Sequence, residues 1–149
     1  MDVELVARLR IVIGRLARKL NDTSTGEGLT PTQYSVLGLI RARGPLGLAE
    51  LTDLEGLNPT MLSRIVRKLD DRGLIRRLPD PSDLRAVRVE VTDAGTAVHT
   101  RIRDARTSAL SDWIERLPAE TQAGLLAAVP ALEELAASLR PVDAARQRR

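Results

Sequence analysis

A chain of 149 residues, 43% hydrophobic and 29% charged, has the make-up of one globular domain with room for a buried core. It has no Cys, which excludes disulfides, thiolate metal sites and thiol-based redox sensing, and no apolar run approaches the ~20 residues that cross a bilayer. The formal net charge of +3 is too small a basic excess to imply nucleic acid by itself. With one Trp, one Tyr and no Phe, the core must come from Leu, Val, Ile and Ala, a palette that suits packed helices. The first residues include the acids Asp2 and Glu4 rather than a basic and then apolar leader, so a cytoplasmic location is expected.

Residues 3–20 carry Leu5, Leu9, Val12, Ile13, Leu16 and Leu20 at helical spacing, with Arg8, Arg10, Arg15, Arg18 and Lys19 around them. Asn21 to Gly28 reads as a loop. A second helix then starts with full punctuation: Thr30 as N-cap, Pro31 at the first helical position, and Gln33 completing a capping box. Leu29 and Tyr34 are spaced for a hydrophobic staple across that start. Val36, Leu37, Leu39 and Ile40 follow, and the helix ends near Gly44-Pro45.

Residues 48–54 predict a short helix of about two turns, closed by Glu55-Gly56-Leu57, where Gly56 can take a positive φ. Asn58 caps the next helix and Pro59 opens it. Met61 or Leu62, with Ile65, Val66 and Leu69, turns inward, which leaves Thr60, Ser63, Arg64, Arg67 and Lys68 outside. The helix stops before Gly73. Two helices across a short glycine turn form a helix-turn-helix unit. Residues 74–78 and 86–91 predict two strands, the second alternating Val87, Val89 and Val91 against Arg88 and Glu90, with the turn-rich loop 79–85 between them. A hairpin in this place is a wing.

Thr92 caps a long helix with Val98, Ile102, Ala105, Ala109 and Trp113 along one stripe, ending at Leu117-Pro118. A last helix carries Leu125, Val129, Leu132, Leu135 and Leu139. Pro130 inside it deletes a hydrogen bond and clashes with the preceding turn, so a kink or break is expected there. Residues 141–149 are a basic tail for which disorder is expected. The fold class is therefore mainly α with a small β-hairpin wing.

Eight cations fall between residues 64 and 88: Arg64, Arg67, Lys68, Arg72, Arg76, Arg77, Arg85 and Arg88. Charge alone fits a solvated helix face as well as the footprint of a DNA-binding surface, and the helix-turn-helix and wing that carry the cluster favour the second. At the N-terminus of the second helix of the unit, Asn58, Thr60, Ser63 and Arg64 offer donors to phosphates and base edges. A guanidinium on a loop tip suits the negative potential of a narrow minor groove.

From the first helix to about Leu139 the chain resembles the multiple-antibiotic-resistance regulator (MarR) family. Two blocks carry the resemblance: Pro59 to Ile75, similar to the family's recognition helix and wing start, and Asp83 to Gly95, similar to its wing signature of Asp-x-Arg, a strand and Thr-x-x-Gly. Leu84 stands where the family usually has a basic residue, which implies the loss of one phosphate contact. The resemblance implies a homodimer that regulates transcription, as a repressor, from a pseudo-palindromic operator in double-stranded DNA. Residues 1–29 and 92–140 would be dimerisation helices and 30–91 the DNA-binding lobe. The recognition helix would enter the major groove through Asn58, Pro59, Thr60, Ser63, Arg64, Arg67 and Lys68. Arg85, held by Asp83, would reach the minor groove.

The resemblance further implies a small aromatic effector where dimerisation helices meet the DNA-binding lobe; Leu9, Ile13, Leu37, Val98 and Ile102, with Arg15 at the edge, are its candidate lining. Tyr34 and Trp113 read as ordinary core or staple residues. An enzyme is not expected: His99 is the only histidine, and the sequence has no phosphate loop, no catalytic carboxylate spacing and no metal-ligand cluster. No cofactor is expected. The competing reading is a winged helix that binds protein and not DNA, which leaves the basic outward face and the Asp83-Arg85 tip unexplained.

Overall fold

The computed structural model describes residues 1–23 and 25–138. They divide into two compact units, Met1–Ala109 and Leu110–Arg149. The first holds α1 (Val3–Asp22), a single 3-10 turn (Thr25–Glu27), α2 (Pro31–Arg43), β1 (Leu46–Gly47), α3 (Leu48–Glu55), α4 (Pro59–Asp71), β2 (Ile75–Pro79), β3 (Val87–Val91) and most of α5 (Asp93–Glu115). The second holds the end of α5, then α6 (Ala119–Ala127) and α7 (Val129–Ser138).

The expected punctuation is present atom by atom. Thr30 Oγ1 accepts the Gln33 N–H at 3.2 Å and Gln33 Oε1 accepts the Thr30 N–H at 3.0 Å, so α2 opens on a complete capping box. Asn58 Oδ1 accepts the Met61 N–H at 2.8 Å and starts α4. Gly56 ends α3 with φ +64°. At the end of α4, Gly73 takes φ +68°, its N–H donates to the Asp70 carbonyl at 2.8 Å, and the Leu74 N–H reaches back to Leu69 O at 2.9 Å. That pair of bonds is a Schellman stop.

The core belongs to the helix-turn-helix and its neighbours. Val36, Leu37 and Ile40 of α2, Leu51 of α3, Leu62, Ile65, Val66 and Leu69 of α4, and Val98 and Ile102 of α5 are buried together with Leu74, Ile75 and Val89. The alternative left open in α4 is decided for Leu62; Met61 points outward.

The sheet has one strand more than expected. β1 is only Leu46–Gly47, too short to show alternation, yet it pairs antiparallel with β3 (Leu46 opposite Val89), giving the order β1-β3-β2. β3 is therefore central. Pro79, which has no N–H to donate, sits in the edge strand β2. Helix boundaries also move slightly: α1 continues through Asp22, beyond the loop start expected at Asn21.

Pro130 acts as the sequence suggests. The apolar run breaks after Ala127, Ala128 caps α6, and α7 begins at Val129 with Pro130 in its first turn. Leu139 and the basic tail 141–149 lie outside the described residues. The α5 stripe is buried only at Val98 and Ile102; Ala105 is exposed, and Ala109 and Trp113 are half-buried.

One junction ties the wing to both flanking helices. Thr92 Oγ1 donates to the Gly73 carbonyl at 2.6 Å and accepts the Gly95 N–H at 3.1 Å, while the Thr92 N–H donates to Leu74 O at 3.1 Å. Gly95 lies so near that a Cβ there would overlap the Leu74 carbonyl oxygen and stand 2.9 Å from Val91 Cγ2. Backbone cannot give way as a flexible side chain can. Gly95→Ala should therefore cost about 3 kcal/mol of stability, seen as a lower urea midpoint with an unchanged m-value; an unshifted midpoint would show that the junction has slack.

Candidate nucleic-acid interface

The outward residues of α4 stand as a set. Thr60, Ser63, Arg64, Arg67 and Lys68 are all exposed. An open groove of about 620 Å³ runs along the helix from its start to Lys68, lined by Asn58, Thr60, Met61, Arg64, Ile65, Arg67 and Lys68, with Gln33 of α2 beside it. Asn58 commits its carbonyl oxygen to the cap, which leaves its amide N–H₂ as a donor. Pro59 fixes the first turn. Besides the core residue Ile65, two groove residues lie outside the candidate set of the sequence. Gln33 was assigned only to capping, and Met61 was paired with Leu62 as a core alternative; helical spacing places Met61 between the two faces, so the sequence alone could not decide it.

The eight cations of residues 64–88 separate into two groups. Four are occupied. Arg72 donates from Nη2 to Glu27 O at 2.7 Å and from Nη1 to Gly28 O at 3.0 Å, bracing the connection ahead of α2. Arg76 pairs with Glu90 across the strands at 2.6 Å, Arg77 with Asp70 at 2.8 Å, and Arg88 with Glu50 at 3.7 Å. Arg64, Arg67, Lys68 and Arg85 have no acidic partner among the described residues. Exposed pairs of this kind add little to stability. Their effect is to cancel charge on the wing's strands and leave it on α4 and at the wing tip.

The tip is a set of short hydrogen-bonded turns. Asp80 Oδ1 accepts the Ser82 N–H at 2.8 Å and its hydroxyl at 2.7 Å, and that hydroxyl is the main reason the Asp80 carboxyl titrates below the usual carboxylate range. Asp80 N–H to Ala86 O, at 3.1 Å, closes the hairpin. Asp83 Oδ1 accepts the backbone N–H of Arg85 at 3.0 Å. Asp83 thus shapes the loop from which Arg85 projects, and its contact is with the backbone and not with the guanidinium. Leu84, 86% exposed, sits beside it.

The residues grouped as an effector pocket fall into two sets. Leu37, Val98 and Ile102 are consumed by the core, whereas Leu9 and Ile13 are 44% and 45% exposed on α1. Arg15 instead borders an open surface groove with Arg18, Lys19, Asn21, Asp22 and Pro31. Spacing along separate helices identified apolar faces correctly but could not say which faces meet.

Behind the interface lies the one histidine. His99 of α5 is only 8% exposed, stacks on Tyr34 of α2 with centroids 4.6 Å apart and planes 6° from parallel, and its Nδ1 finds no hydrogen-bond partner among the described residues. The Arg106 guanidinium lies 4.2 Å from the centroid of the same Tyr34 ring. Tyr34 is thus a half-buried core residue with a second face for aromatic and cationic contacts. Burial first, and then the charges of Arg41, Arg103 and Arg106, hold the His99 pKa below its ordinary value. The unfolded chain binds the proton more readily, so the contribution to stability is full above about pH 6.5 and falls away as pH drops through the folded-state pKa. With no second histidine in the chain, urea midpoints measured between pH 7.5 and 5 should fall less steeply in His99→Gln than in the parent. Equal slopes would assign the titration to carboxylates.

The sequence profile of the MarR family matches residues 29–87. An HTH-type transcriptional regulator of Mycobacterium leprae is 30% identical over 117 residues, covering 78% of this chain and 79% of the relative. The crystal structure of RV1404 from Mycobacterium tuberculosis superposes with a TM-score of 0.77 at 25% identity, covering 90% of this chain and 94% of that one. A mutant MarR from E. coli, solved in complex with operator DNA, matches with a TM-score of 0.64 at 25% identity, over 87% of this chain and 94% of that one.

Proposed function

This chain belongs to the MarR family of winged-helix transcriptional regulators, and from that premise we propose that it is a homodimeric repressor that reads a pseudo-palindromic operator through α4 and the wing tip. The observation that carries the reading is the sorting of cations: the strands of the wing are neutralised by Glu50, Asp70 and Glu90, while Arg64, Arg67, Lys68 and Arg85 stay open. In this reading Thr60, Ser63 and Arg64, near the N-terminus of α4, face base edges in the major groove. Arg67 and Lys68 neutralise phosphates. Asn58 and Pro59 set the start of the helix, Asp83 holds the shape of the tip, and Arg85 enters the minor groove. The operator complex of the E. coli MarR structure supports this docking by analogy.

Two open apolar faces support the dimer. α1 exposes Leu5, Leu9, Val12, Ile13 and Leu16, and α6 and α7 expose Leu125, Leu126, Val129, Leu132 and Leu135. Apolar stripes of this length on terminal helices are covered if two copies interlock across a two-fold axis. Sedimentation at micromolar concentration should give a dimer; a folded monomer would remove that part of the proposal. A small aromatic effector belongs to this reading as the ligand of a cavity that the dimer creates, since Leu37, Val98 and Ile102 are buried in the core of one subunit while Leu9 and Ile13 lie exposed on α1.

The division of labour is tested by fluorescence anisotropy at several salt concentrations, on a selected operator and on scrambled duplex. Arg64→Ala should cost about 1–3 kcal/mol on the operator and relax base preference at one position per half-site. Arg85→Ala should weaken binding to both duplexes and flatten the salt dependence. If neither substitution alters binding, the winged helix serves a protein partner instead.

A further inference from the structure

Met61 is the one large apolar side chain that α4 leaves exposed, at 47%. The other apolar residues beyond Pro59 at the helix start, Leu62, Ile65, Val66 and Leu69, are in the core. The remaining outward residues are polar or basic. Met61 shares its groove with Asn58, Thr60, Arg64, Arg67 and Lys68. Its backbone N–H is bonded to Asn58 Oδ1 at 2.8 Å, which fixes it at the third position of the helix, in the first turn.

Met61 is not among the core residues of the described chain. It fills no core space, and a sulfur of that kind is too weak an acceptor to compete for phosphate or for the polar edge of a base. Residues in the first turn of a recognition helix are the ones that meet base edges. The major groove presents one apolar feature there, the 5-methyl group of thymine. An unbranched, polarisable side chain is well able to cover such a methyl without demanding one fixed approach. We infer that Met61 is a specificity-determining residue that packs against a thymine methyl in each half-site, next to the base read by Arg64. The inference rests on the reading of α4 as the DNA-contacting helix. It adds an apolar contact that the charged and hydrogen-bonding residues cannot supply.

The test starts from duplexes that the full chain selects out of a random-sequence pool. Each thymine of the selected site is replaced in turn by deoxyuridine, which deletes the methyl and keeps the pairing edge. Affinities are measured for the parent, for Met61→Ala, and for Met61→Gln, which retains length and adds polarity. At one thymine per half-site the parent should lose roughly fourfold in affinity, the factor expected for exposing one methyl-sized group. Both variants should bind the thymine and deoxyuridine duplexes equally at that position. Because the side chain is exposed, far-UV circular dichroism of all three proteins should coincide. A penalty that persists undiminished in both variants would mean another side chain covers the methyl, and the inference falls. It falls equally if no thymine in the selected site shows a penalty with the parent. Failure to select any duplex would instead overturn the assignment of α4 to DNA, and the inference with it.

Discussion

A carbonyl-rich corner between Gly73-Leu74 and Thr92-Gly95 governs where α4 and the wing stand. α4 must stop at Gly73, because only a residue free to adopt φ +68° allows the two reverse hydrogen bonds that end it. Leu74 then gives its carbonyl to Thr92, and the Thr92 hydroxyl both donates to Gly73 O and caps α5. β2 leaves this corner at Ile75 and β3 returns to it at Val91, opposite Ile75 in register. A wing is a lever. An angular error at its base is multiplied along the strands, and the absence of a Cβ at Gly95 is what lets α5 close on the corner without lifting it.

Electrostatics is arranged on that frame with little energetic return to the fold. The pairs Arg76–Glu90 and Arg77–Asp70 are exposed, and each adds little on its own. Arg72 is different, since its guanidinium ends two carbonyls of the Glu27-Gly28 connection and so joins the C-terminal end of α4 to the entry of α2. α4 is thus held at its far end by a contact with the segment that follows α1.

Much of this was legible because the deciding interactions are local. Capping at Thr30 and Asn58, the glycine turns at Gly56 and Gly73, and the break at Pro130 each depend on a few neighbouring residues, and each shows in the sequence. The outward set of α4 followed from helical spacing, with Met61 undecided because it lies at the border of the two faces. What remained illegible depends on meetings between distant segments. β1 is two residues long and exists only because β3 lies beside it. Likewise, the eight clustered cations look alike in sequence, and only the positions of Glu50, Asp70, Glu90 and the carbonyls near Gly28 separate the occupied ones from the open ones. The residues grouped for an effector pocket show the same limit: Leu37 and Leu9 each belong to an apolar face, but one face is covered by the core and the other is not.

Gly38 of α2 sits one turn beyond Tyr34 and faces the same imidazole, and a Cβ built on it would stand 2.9 Å from His99 Nε2. The ring therefore occupies space made by a missing methyl group. Positions 38 and 99 cannot drift independently during evolution. An alanine at 38 is admissible once the residue at 99 has become smaller, and a bulky aromatic at 99 would demand that 38 stay glycine. A lineage that began by shrinking residue 99 would pass through a cavity and one that began by enlarging residue 38 through a clash, so either order costs stability at the intermediate and the two changes are safest made together.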